Sequence, residues 1–83
     1  MYTVEVGDAI EGVPERTRSS LSAALEEIAA TIAALPDASV FWHSVRGERL
    51  HFDLSGWRFW YVVEPDLRRL NLVQSLPLGA AQR

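Results

Sequence analysis

The chain has no cysteine, which excludes disulfides, iron–sulfur clusters and thiolate metal sites together. It has no lysine either, so every basic residue is an arginine. No apolar run approaches the roughly 18 residues that a membrane-spanning helix needs, and no secretory leader pattern is present. These absences point to the cytoplasm and away from secretion or a membrane. A phosphate-cradling glycine loop, a dinucleotide fingerprint and a nucleophile motif are all lacking. So are internal repeats, low-complexity tracts and any inter-domain linker. With 83 residues, the chain is too short for two ordinary domains, and folding alone buries only about 60% of the surface that an unfolded chain of this size exposes.

Core-forming material is nevertheless plentiful. Hydrophobic residues make up 48% of the sequence, including three Trp, three Phe and two Tyr. Each large side chain contributes through burial at about 25 cal/mol per Å². The formal net charge of −3 argues against a protein that coats nucleic acid through bulk charge. That average hides an asymmetry. From Met1 to Ala38, Glu5, Asp8, Glu11, Glu15, Glu26, Glu27 and Asp37 oppose only Arg16 and Arg18. From Ser39 onward, Arg46, Arg49, Arg58, Arg68, Arg69 and Arg83 oppose Glu48, Asp53, Glu64 and Asp66. The second half is thus mildly basic. A codon bias toward arginine is the simpler explanation of this usage; the functional one is bidentate phosphate recognition.

Tyr2, Val4 and Val6 alternate with Thr3 and Glu5, the period of a half-buried strand, which Gly7-Asp8 ends. After a connector from Ala9 to Val13, Pro14 and Glu15 suit the first turn of a helix. Leu21, Leu25, Ile28, Ile32 and Leu35 recur at spacings of three and four, and the intervening alanines add helix propensity and permit close approach to a sheet. The predicted helix runs from about Pro14 to Leu35, where Pro36-Asp37 stops it. Val40 to Val45 then reads as the first of several strand-like runs. In the next, Leu50, Phe52 and Leu54 alternate with Arg49, His51 and Asp53. Trp57, Phe59, Tyr61 and Val63 alternate with Arg58, Trp60 and Val62, and Leu70 and Leu72 alternate with Arg69, Asn71 and Val73. Turn chemistry separates these runs at Arg46-Gly47-Glu48, Ser55-Gly56 and Glu64-Pro65-Asp66, and short loops imply antiparallel hairpins. The expected class is α+β: an N-terminal strand, one main helix, then a C-terminal antiparallel β-meander, in a single domain over residues 1–76 with a loosely ordered tail over 77–83. If the apolar sets face the helix, the opposite face carries Arg49, His51, Asp53, Arg58, Trp60, Val62, Arg69, Asn71 and Val73. Trp42 and Trp57 belong to the core or its edge.

Strand, helical segment and three-stranded meander are the order of elements in the RelE/ParE superfamily, the toxin components of toxin–antitoxin modules. The stretch Leu50-His51-Phe52-Asp53-Leu54-Ser55-Gly56-Trp57-Arg58-Phe59-Trp60-Tyr61-Val62-Val63-Glu64 resembles that family's strand, glycine turn and aromatic-Arg-x-x-Tyr strand running into an acidic turn. Arg69-Leu70-Asn71-Leu72-Val73 is similar to its last strand, and Val13-Pro14-Glu15 resembles the Leu-Pro-Glu that begins its second helix. Only Asp8 to Val13 is available for the family's first helix, which is expected to shrink to about a turn or vanish. The last strand runs into Gln74-Ser75-Leu76-Pro77, without the basic or aromatic residues that the ribosome-dependent RNases of the family use near the C-terminus. Basic positions that carry over are Arg46, Arg49 and Arg58.

The resemblance implies a growth-inhibiting toxin. It would act by mRNA cleavage or by binding a target such as gyrase, and a cognate antitoxin would hold it in check. For cleavage, Arg49, His51, Asp53 and Arg58 are the candidate catalytic set: His51 as acid or base beside a carboxylate, with arginines to stabilise charge developing on phosphate. The same pattern also makes an ordinary solvated strand face with a cross-strand ion pair. Ribosome-bound mRNA would be met by Arg46, Arg49, Arg58, Trp60 and Arg69, with Trp60 stacking on a base. Alternatively Trp60, Val62 and Val73 form a partner-binding patch, because such residues exposed together on a sheet mark an interface. His43 has no ligand-spaced companion and His51 with Asp53 is too little for a metal site, so neither a metal nor a cofactor is expected. The alternative to a toxin is a non-catalytic protein-interaction or immunity-type module on the same fold, and a self-associating structural protein that dimerises through its apolar sheet face is a third reading.

Overall fold

In the computed structural model, which describes residues 2–45 and 47–79, one long helix lies across a four-stranded sheet. The elements are β1 (Thr3–Glu5), a 3-10 turn (Gly7–Ile10), α1 (Glu15–Ala33), α2 (Phe41–Val45), β2 (Arg49–Leu54), β3 (Trp57–Glu64), a second 3-10 turn (Pro65–Leu67) and β4 (Arg69–Pro77). Among the described residues no helix is long and apolar enough to cross a membrane.

The start of α1 follows from Pro14, whose extended backbone (ψ 150°) sits one residue before the first helical residue, with Glu15 in the first turn. An acidic side chain there complements the positive end of the helix dipole. No side chain caps this end, but Arg18 donates its Nε–H to the Val13 carbonyl at 2.8 Å, tying the connector to the helix. The buried stripe is Thr17, Leu21, Leu25, Ala29 and Ile32, at the helical spacings of four and three. Leu21, Leu25 and Ala29 join Val13, Phe59, Leu70 and Leu72 in the core, with Phe52, Leu54, Trp57 and Tyr61 packed partly against it. Leu50 is half-buried and lies outside that cluster.

The sheet order is β1-β4-β3-β2. β2, β3 and β4 form the antiparallel meander, whereas β1 joins the outer edge of β4 in parallel, so the sheet is mixed. A parallel neighbour needs a crossover, and the 3-10 turn and α1 supply it. The 3-10 turn of Gly7–Ile10 is held to β4 where Ser75 Oγ donates to the Ala9 carbonyl.

Three features depart from the expected outline. Val40 to Val45 is not a strand: Phe41–Val45 forms the short helix α2. Local bonds stabilise the alternative, because Ser39 Oγ accepts from the Phe41 N–H at 3.2 Å and Trp42 Nε1 donates to the Pro36 carbonyl at 2.9 Å. The second departure concerns the C-terminal segment. β4 continues through Pro77, and the Leu78 N–H donates to the Gly56 carbonyl at 2.8 Å, so the first residues of the expected tail are anchored; residues 80–83 lie outside the described residues. The third is a bulge in β4. Tyr61 pairs with Leu72 but Trp60 pairs with Gln74, leaving Val73 as the extra residue and reversing the strand's phase beyond it.

Candidate functional site

The face of the sheet opposite α1 gathers most of the candidate residues. Its anchor is the β2–β3 hairpin, closed by Ser55 and Gly56, both at positive φ (54° and 81°). Two consecutive left-handed residues make the turn type whose twist matches that of paired strands. This turn fixes the register Leu54↔Trp57, Asp53↔Arg58, Phe52↔Phe59, His51↔Trp60, Leu50↔Tyr61 and Arg49↔Val62. With Phe59 wholly buried on the helix side, Arg58, Trp60 and Val62 must point the other way, alongside Asp53, His51 and Arg49.

Cross-strand interactions run down this face. Arg58 grips Asp53 through two hydrogen bonds, Nε to Oδ1 at 2.8 Å and Nη2 to Oδ2 at 3.1 Å. The Arg58 hydrogen bond is the main reason the Asp53 carboxyl titrates below its ordinary range. One pair along, the His51 and Trp60 rings meet at 4.6 Å with a tilt of 49°. Arg49 then crosses the width of β3: its Cζ sits 5.4 Å above the Trp60 ring, and its Nη2 donates to Gln74 Oε1 at 2.7 Å. At the far end Arg69 donates Nε–H to Glu64 Oε1 at 2.8 Å, which lowers the Glu64 carboxyl in the same way.

Arg49, His51, Asp53, Arg58 and Trp60 therefore share one cluster. Arg69 does not belong to it. Its side chain bonds instead to Glu64, two positions along β3 from the Val62 that pairs with Arg49. Arg46 lies outside the described residues. The three partner-binding candidates also lie on this side: Trp60 and Val62 are half-buried, and Val73 is exposed. Leu76, paired with Arg58 and 43% exposed, extends them into an apolar band bordered by arginines and carboxylates.

Two contributors, Gln74 and Leu76, escaped the sequence reading. Strict alternation from Leu70 and Leu72 would put both beneath the helix, and nothing in Val73-Gln74-Ser75 signals the bulge that turns them outward. On the helix side, Ile28, Ile32, Leu35, Phe41, Val45 and Tyr61 line an apolar groove, and burial there raises the Tyr61 phenol. Among the described residues no group of three or more His, Asp or Glu is placed to hold a metal ion. No family model, curated protein or solved structure matches the chain.

Proposed function

We propose that this chain works by binding a macromolecular partner on the open sheet face rather than by cleaving RNA there. One observation carries the reading: the side chains that a hydrolytic mechanism would need are bound to one another. Asp53 is held by Arg58, not by His51. His51 lies against Trp60. Arg49 is committed to Trp60 and Gln74. A general base gains from a carboxylate that orients it, and a developing phosphorane charge needs a cation free to meet it. Here those partners are spent on the sheet itself. What remains accessible is an aromatic and aliphatic band rimmed by arginine, the composition of a protein-binding hot spot.

Joined to the RelE/ParE resemblance, this reading makes the chain a cytoplasmic toxin of the kind that inhibits by binding a target such as gyrase, with a cognate antitoxin as its keeper. The order of strand, short turn, helix and three-stranded meander supports it. Induced expression in a bacterial host tests it, using Trp60→Glu and His51→Ala beside the unaltered chain. The expected result is growth arrest that Trp60→Glu relieves and His51→Ala leaves intact. Arrest lost with His51→Ala, together with loss of mRNA cleavage, would replace binding by catalysis. Normal growth with abundant folded protein would instead assign the face to a non-toxic interaction or immunity-type module, the second reading, which the acidic net charge favours.

A further inference from the structure

The two edges of the sheet are unlike. β1 closes one side with three residues, whereas β2 leaves six residues, Arg49–Leu54, along the other. β2 contains no proline, and its register with β3 is unbroken. A long, regular edge is a template for another strand unless something guards it. The usual guards are a bulge, a proline or charges of one sign. β2 offers Arg49, His51 and Asp53 in sequence, a positive residue at one end and a negative one at the other.

Which backbone groups face the open edge follows from the turn. A two-residue hairpin turn closes on a hydrogen-bonded pair, Leu54 and Trp57, and alternation gives Phe52 and Leu50 their backbone bonds to β3. The N–H and C=O groups of Arg49, His51 and Asp53 therefore point outward along the edge. Among the described residues, no backbone hydrogen bond outside the sheet ladders involves these three.

From this arrangement we infer that β2 pairs antiparallel with β2 of a second copy, about a two-fold axis at His51, to form a continuous eight-stranded sheet. In this register Arg49 stands opposite the second copy's Asp53 at one end, and Asp53 opposite the second copy's Arg49 at the other. The residues whose backbone groups face the edge become the hydrogen-bonded pairs, each exchanging two N–H···O bonds. On the helix side, Leu50 comes opposite the second copy's Phe52, and both are half-buried in the single chain. Asp53 can serve two arginines, because a carboxylate has about four acceptor sites and Arg58 takes two bonds; Arg49 has five N–H donors, and its bond to Gln74 uses one of them. A shift of two residues in either direction places an end charge opposite His51 and strands the other, so the charges select the centred register. The contact is isologous, as closed two-fold symmetry requires. Its backbone bonds use the edge while its charge pairs border the open face, and it joins two such faces side by side.

Sedimentation equilibrium on the whole chain, up to about 1 mM, tests the pairing at concentrations that reveal even weak association. The expected result is a monomer–dimer equilibrium. Arg49→Asp and Asp53→Arg should each weaken it by roughly tenfold or more, since like charges then face each other at both ends. Mixing these two variants should restore a dimer, because opposite signs again meet at both ends. His51→Pro should abolish association while circular dichroism stays native, since an edge strand tolerates proline where its N–H faces solvent. Val73→Glu, two strands away on the open face, should leave the equilibrium unchanged. A chain that stays monomeric throughout overturns the inference. So does a dimer that survives His51→Pro, or one that Val73→Glu dissolves, which would place the contact on the open face.

Discussion

The two faces of this sheet are built from the same strands yet are held by different forces. Beneath α1, Phe59, Leu70 and Leu72 are almost fully buried against Leu21, Leu25 and Ala29. Their contribution scales with area removed from water, and their packing leaves little slack. On the open face, order comes from side chains bonded across strands: Arg58 to Asp53, Arg69 to Glu64, and Arg49 over Trp60 to Gln74. Exposed pairs of this sort add little to stability, but they hold long side chains in defined positions. One face keeps the domain folded, and the other stays open to solvent.

The sharpest test of that division is truncation in the core. Phe59→Ala should cost about 3–5 kcal/mol and Leu25→Ala about 2–5 kcal/mol, large fractions of the roughly 5–15 kcal/mol typical of a whole domain. Urea unfolding monitored by tryptophan fluorescence measures both. Midpoints unchanged from the unaltered chain would remove the distinction between the faces. Ile28→Ala refines it: Ile28 is only half-buried at the margin of the core, so its loss should be about half that of Leu25→Ala.

Smaller effects belong to the open face. Arg58→Ala should leave the unfolding midpoint at neutral pH close to that of the unaltered chain. It should also return the Asp53 carboxyl toward its ordinary titration range in a side-chain carboxyl NMR titration; an Asp53 that titrates as before would show that the pair does not form in solution. The pH dependence has a definite sign. Asp53 and Glu64 both have folded pKa values below their unfolded ones, chiefly through hydrogen bonds from Arg58 and Arg69. The stability they contribute is therefore present above the unfolded carboxylate value, about 4, and is lost as pH falls through the folded values. Acid titration of the double variant Arg58→Ala/Arg69→Ala should show a shallower loss of stability over that window. An identical slope would mean that other carboxylates govern acid unfolding.

Much of this architecture could be read from residue order, because its main elements have local causes. Pro14-Glu15, the Leu21-Leu25-Ile28-Ile32 spacing and Pro36 outline α1 to within two residues at either end. Alternation places Phe59 inward and Trp60 outward, and Ser55-Gly56 sets the hairpin register on which the Asp53–Arg58 pair depends. Periodicity and turn chemistry are properties of neighbouring residues, so no knowledge of the rest of the chain is needed to see them.

Other features escaped periodicity and turn chemistry, and two of them were settled only when distant parts of the chain met. Val40–Val45 has strand-like residues, but bonds to Pro36 and Ser39 close it into a helix. Nothing in Tyr2–Val6 reveals that β1 will lie parallel to β4, since that placement depends on where the crossover through α1 returns the chain. The bulge at Val73 arises from fitting β4 to β3, and it alone decides that Gln74 faces outward to receive Arg49. Residue order thus determined which side chains β2, β3 and β4 as far as Val73 would hold on the open face, through the period of two that an unbroken strand obeys. Which of them touch was decided by pairing register and sheet order, because those fix distances between residues that the sequence leaves far apart.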